Sequence, residues 1–106
     1  MQKVTFVLKL DQVGVPGNAA RMWLDTSRDD VIQAGEEVTL GTVDGKLWLA
    51  QRDLPDDTKG MQFLVKFIAP SKTTWSFTAK SSADTLYEVA DQKMDATKES
   101  LAGRLS

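Results

Sequence analysis

The chain has 106 residues, 42% hydrophobic and 26% charged, with 13 Lys and Arg against 15 Asp and Glu for a formal charge of −2. That length suits one domain with a real core and not two, and the scattered cations form no basic stripe for a phosphate backbone, which argues against nucleic acid as a partner. The absence of Cys and His removes disulfides, thiolate nucleophiles, zinc-thiolate sites and the commonest general base, so catalysis is disfavoured and no cofactor or metal is expected.

The opening MQKVTFVLKL enters strand-like alternation at once, without a basic leader or a long apolar segment, and no apolar run approaches the roughly 18 residues of a membrane span. The expectation is a soluble cytoplasmic protein with no membrane contact, or a mature domain cut from a longer, secreted one. In residues 3–10, Val4, Phe6, Leu8 and Leu10 alternate with Thr5, Val7 and Lys9, which predicts the first strand. Residues 11–18, with two glycines and a proline, read as a loop. Residues 20–25 predict the second strand, Met22 and Leu24 facing in and Arg21, Trp23 and Asp25 facing out.

Residues 26–35 read either as a single helical turn capped by Ser27 or Asp29 or as a plain loop. A short strand over 37–41 leads to the Asp44-Gly45 pair, a strong hairpin signal, and 47–53 should pair back across it. After a turn cluster at 54–60, residues 61–77 predict a central hairpin: Met61, Phe63, Val65, Phe67 and Ala69 on one face, Gln62, Leu64, Lys66 and Ile68 on the other, then a Pro/Ser/Lys turn and a second strand. Residues 79–84 connect to a last strand over 85–90.

Short strands spaced by turn signals, with no long helical pattern between them, predict an all-β fold: an antiparallel immunoglobulin-like β-sandwich of about seven to eight strands over residues 1–90. Residues 91–106 stand apart. Met94, Leu101 and Leu105 could line a thin stripe of a helix capped by Asp91, or the segment could be a flexible tail.

The adjacent carboxylates Asp29 and Asp30, Glu36 and Glu37, and Asp56 and Asp57 fall in loops, where neighbouring side chains diverge, and read as solvated turn residues. No calcium-loop spacing, Gly-rich phosphate loop or Gly-x-Ser-x-Gly elbow is present. The three tryptophans carry more information. Trp23 shares its parity with Arg21 and Asp25, and Trp48 shares its parity with Lys46 and Arg52, so both are expected on wet faces. An exposed ring beside polar donors is how a protein holds a sugar, the ring stacking on its apolar face. Trp75 shares its parity with Phe77 and Ala79, which points to the core.

Leu47-Trp48, Asp53-Leu54-Pro55, Val65-Lys66-Phe67-Ile68 and Thr74-Trp75, in that order, resemble the second half of the starch-binding domains, carbohydrate-binding modules appended to amylases and glucoamylases. Val4-Thr5-Phe6 is similar to the family's opening strand. The resemblance implies an antiparallel β-sandwich whose first glucan site uses Lys66 and Trp75, with Trp48 at least partly structural. The family's other stacking ring has no counterpart between Asp25 and Glu37, and Trp23 is the candidate substitute.

The sequence thus leads to the expectation of a non-catalytic module for an α-glucan or related oligosaccharide, with Trp75, Lys66, Trp48 and Trp23 as its binding residues. The alternative is a protein-interaction or assembly module, anchored by an exposed tryptophan, by an edge strand such as 37–41 or 85–90, or by a C-terminal segment that orders on binding.

Overall fold

The computed structural model describes residues 1–106. The chain forms nine strands, with apolar residues at every second position plainest in β1, β6 and β7: β1 (Gln2–Leu10), β2 (Ala19–Leu24), β3 (Glu37–Val38), β4 (Gly41–Thr42), β5 (Leu47–Leu54), β6 (Gln62–Ile68), β7 (Thr74–Lys80), β8 (Thr85–Lys93) and β9 (Lys98–Arg104). They form two antiparallel sheets, β4-β5-β1-β7-β8 and β3-β2-β6-β9. This is the expected β-sandwich, with nine strands in place of seven or eight.

The core follows from strand parity. Val4, Phe6, Leu8 and Leu10 of β1 are buried, as are Phe63, Val65 and Phe67 of β6 with the flanking Met61 and Ala69. Aromatic rings join the two layers: Phe63 of one sheet lies 5.4 Å from Phe77 and 4.7 Å from Tyr87 of the other, and Phe67 meets Trp75 edge-on at 5.1 Å. Edge-to-face pairs of this kind add to the area they bury.

The predicted central hairpin is corrected. β6 and β7 are consecutive but lie in opposite sheets, β6 between β2 and β9 and β7 between β1 and β8. Each strand carries a full row of large apolar groups on one side; placed across the core, the rows cover each other, whereas side by side both would need cover from elsewhere. The crossing is tightened by Thr73, whose N–H and Oγ1 donate to the Pro70 carbonyl at 3.2 and 2.6 Å.

The C-terminal expectation is also corrected, since residues 91–106 form neither a helix nor a flexible tail. β8 runs on to Lys93, and β9 pairs with the whole of β6, from Gln62 opposite Arg104 to Ile68 opposite Lys98. Met94 and Leu105 are buried and Leu101 is half-buried against the core. The stripe at 94, 101 and 105 is therefore apolar contact from a turn and a strand, with Leu101 and Leu105 in strand parity. In residues 26–35 only a 3-10 turn forms, at Ala34–Glu36, and neither Ser27 nor Asp29 caps a helix. Asp25, expected to face out, is buried, and its carboxylate accepts from Ser27 Oγ at 3.1 Å and the Asp30 N–H at 2.8 Å.

One glycine is required by close approach. Gly103 of β9 sits opposite Phe63, and a Cβ there would lie 2.8 Å from Phe63 Cζ and 3.0 Å from Tyr87 Cε2. Gly103→Ala should therefore destabilise the fold by about 1–3 kcal/mol, the usual cost of overpacking. Urea unfolding measures it; an unchanged midpoint would mean that the ring pair moves aside without cost.

Candidate functional site

The tryptophans separate into two buried rings and one on a face. Trp48 is set by register: β5 pairs with β1, Trp48 opposite Leu8 and Ala50 opposite Phe6, and paired residues share a face. Trp48 is consequently 8% exposed, with its Nε1–H donating to the Gly45 carbonyl at 2.9 Å. The expected wet face for Trp48 is wrong; Leu47 and Leu49 take the outer positions instead. The contrary signal was present in Ala50 and Leu54, which share Trp48's parity with Arg52, and Arg52 reaches the rim to donate to the Glu37 carbonyl at 3.3 Å. Trp75, opposite Leu10 in β1, is 6% exposed. Its parity reading holds, and the sugar-stacking position that the starch-binding resemblance implied for Trp75 has no open ring face.

Trp23 differs. It stands on the outer face of the β3-β2-β6-β9 sheet, half-buried, opposite Glu37 on one side and Leu64 on the other. Arg21, two residues back on the same face, lies opposite Lys66. Its guanidinium binds Glu37 through both carboxylate oxygens, Nε to Oε2 at 3.0 Å and Nη2 to Oε1 at 2.7 Å. That bidentate bond holds the Glu37 carboxyl below, and the Arg21 guanidinium above, their ordinary titration ranges. The clamped guanidinium lies 4.9 Å from the centroid of the Trp23 ring, and Lys66 Nζ lies 5.9 Å from it.

β9 extends this face, with Lys98 opposite Ile68, Ser100 opposite Lys66, Ala102 opposite Leu64 and Arg104 opposite Gln62. Two shallow depressions follow. One of about 410 Å³ is lined by residues that include Arg21, Lys66, Ile68, Lys98, Glu99 and Ser100, and one of about 370 Å³ by Ile32, Gln62, Leu64, Ala102 and Arg104 among others. Of the four residues read from the sequence, the fold brings Trp23 and Lys66 together and leaves Trp48 and Trp75 in the core. Arg21 as a hydrogen-bond donor at Trp23 was legible; Lys98 and Ser100 were not, because β9 was not read as a strand.

The acidic residues serve the loops. Carboxylate oxygens of Asp25, Asp29 and Glu36 lie within 4.8 Å of one another, yet each carboxylate already accepts from nearby donors. Asp29 takes the Val31 N–H at 3.0 Å and Gln33 Nε2 at 2.7 Å, and Glu36 takes the N–H groups of Ser27 and Gln33, both at 3.1 Å. These bonds hold the Asp29 and Glu36 carboxyls below their usual range. Asp56 meets the N-terminal ammonium at 3.2 Å, and Asp57 accepts from the Lys59 N–H at 3.1 Å. No helix is long and apolar enough to cross a membrane. Comparison with protein-family models, curated proteins and solved structures gives no match to the chain.

Trp48→Ala and Trp75→Ala should each cost about 3–5 kcal/mol of unfolding free energy, as buried aromatics do, while Trp23→Ala should cost less than about 2 kcal/mol. Urea denaturation of the three variants gives the ranking, and equal losses at all three would contradict the division. Because folding lowers the Glu36 carboxyl below its ordinary value of 4.5, its stabilising contribution is complete above that value and is lost as pH falls through the folded-state value. Glu36→Gln should accordingly make the acid limb of the melting curve shallower below pH 4.5; an acid limb as steep as in the parent protein would assign acid sensitivity to other groups.

Proposed function

We propose that this chain is a non-catalytic module that binds an oligosaccharide, an α-glucan in the first instance, across the outer face of the β3-β2-β6-β9 sheet. The observation that carries the reading is the half-buried Trp23 ring on an outer sheet face with the Arg21 guanidinium and the Lys66 ammonium over it, at 4.9 and 5.9 Å from its centroid. A pyranose has an apolar face that stacks on an aromatic ring and a rim of hydroxyls that needs donors and acceptors. Trp23 is the stacking residue. Arg21 commits two N–H groups to Glu37 and keeps others for hydroxyls, and Lys66 supplies three more donors from the next strand. Glu37 holds the guanidinium in place before the ligand arrives.

A titration of labelled protein with maltoheptaose, followed by amide and indole signals, tests this. The expected result is a saturating shift centred on the Trp23 indole and on the amides of Arg21, Lys66 and Ser100, with the Trp48 and Trp75 indoles unmoved. Trp23→Ala should weaken binding about 3- to 10-fold while the fold is retained. Absence of any shift at millimolar sugar overturns the α-glucan reading.

A second reading has its own observation. β9 is a terminal strand whose seven-residue pairing with β6 carries no bulge, unlike the β7–β8 pairing, so it offers a regular edge to an added strand of a protein partner. In that case the partner would shift the amides of residues 98–104 and not the Trp23 indole.

A further inference from the structure

The charges on this face are unevenly committed. The chain is acidic overall, yet the strand residues of the outer face are Arg21, Lys66, Lys98 and Arg104 against Glu37. Arg21 is taken by Glu37, and Arg104 by Asp30 at 3.0 Å and the Gly60 carbonyl at 2.9 Å. Lys66 and Lys98 have no acidic partner.

Their placement is convergent. Ser100 lies opposite Lys66 and two residues from Lys98 on the same side of β9, so the three residues are neighbours on one face. Residues two apart on a strand, and cross-strand diagonal neighbours, are both about 7 Å apart, a spacing that one tetrahedral anion between two long, flexible lysines can bridge. Glu99, the one carboxylate of β9, is opposite Phe67 in register yet also borders the depression of about 410 Å³, where its Oε1 accepts from the Ser100 N–H at 3.1 Å instead of pairing with either lysine. The planar guanidinium forks that match a carboxylate are occupied, and what stays free is a pair of compact point charges and a hydroxyl, a combination suited to phosphate.

We infer that the ligand of this face is an oligosaccharide bearing a phosphate ester, its phosphate held between Lys66 and Lys98 with Ser100 while a neighbouring sugar ring lies against Trp23. This rests on the oligosaccharide reading above and adds the charge of the ligand to it.

The experiment is a calorimetric comparison of maltoheptaose, the same oligosaccharide monophosphorylated at a glucosyl 6-position, oligogalacturonate of similar length, and inorganic phosphate, each at low and at high salt. The phosphorylated sugar should bind about tenfold more tightly than the neutral one at low salt, since each exposed charge contact is worth up to about 5-fold in affinity, and the gap should narrow as salt screens it. Lys66→Gln with Lys98→Gln should abolish the gap; both lysines are exposed, and a melting curve confirms the fold. Equal affinity for neutral and phosphorylated sugar overturns the inference and leaves the oligosaccharide reading standing. Binding of neither sugar overturns both. Oligogalacturonate binding as tightly as the phosphorylated sugar overturns the choice of phosphate, and inorganic phosphate binding as tightly overturns the requirement for a sugar.

Discussion

The position of the Phe63 ring governs the rest of the molecule. It projects from the β3-β2-β6-β9 sheet toward the opposite one, meeting Phe77 at 5.4 Å and Tyr87 at 4.7 Å, and it occupies the space that a side chain on Gly103 would need. Three strands from two sheets and the last strand of the chain are thereby locked to one ring. A residue with period-two alternation has no freedom left once one position is fixed: with Phe63 inward, Val65 and Phe67 must be inward, and Gln62, Leu64, Lys66 and Ile68 must be outward. The core of β6 and the composition of the outer face are the same fact seen from two sides.

Register then carries that fact across the sheet. β2 pairs Arg21 with Lys66 and Trp23 with Leu64, and β3 sets Glu37 against Trp23, so a clamped guanidinium, an ammonium group and an indole ring meet without any loop being involved. A slip of one residue in β2 would turn Met22 and Leu24 to solvent and bury Arg21, an exchange that costs far more than the marginal stability of a small domain. The face around Trp23 is therefore as well determined as the core behind it.

What the sequence made legible follows the same logic. Alternation named the inward residues of β1, β2 and β6 because in each run one parity is apolar without a break while the other is interrupted by charged or polar residues. It mis-set Trp48 because Lys46 and Arg52 bracket it, while the decisive neighbours, Leu8 and Phe6, are some 40 residues away and enter only through the β1–β5 register. Proximity in sequence made β6 and β7 look like a hairpin, although two strong apolar rows gain more by facing each other. The tail was read as helix or coil because Met94, Leu101 and Leu105 are sparse; what makes 98–104 a strand is the vacant edge of β6, and no local signal announces a vacancy elsewhere. Trp23 and Lys66 were each visible as candidates, but their adjacency depends on pairing between strands 40 residues apart. Of the carboxylates read as solvated turn residues, Asp29, Glu36 and Asp57 tie their loops together, whereas Glu37 lies in β3 and clamps Arg21, and the burial of Asp25 was hidden by its position just past the end of a strand.

A face built on strands has a physical consequence for what can occupy it. Its side chains are held by pairing on both sides, so little conformational entropy is lost on binding, but a twisted sheet offers shallow depressions and no enclosing walls. The two hollows, of about 410 and 370 Å³, flank the row formed across the sheet by Trp23, Leu64 and Ala102, the first toward Ile68 and Lys98 and the second toward Gln62 and Arg104, and neither encloses a ligand by itself. Affinity on such a surface has to be assembled from several modest contacts spread along the strands, which favours a chain-like ligand over a compact one. In the proposed reading, an oligosaccharide lying along β2 and β6 places one ring at Trp23 and its neighbours toward the two hollows. β9 completes this surface with Lys98, Ser100 and Arg104 while Gly103 and the following Leu105 close the core beneath it, so the strand that finishes the fold also finishes the candidate face.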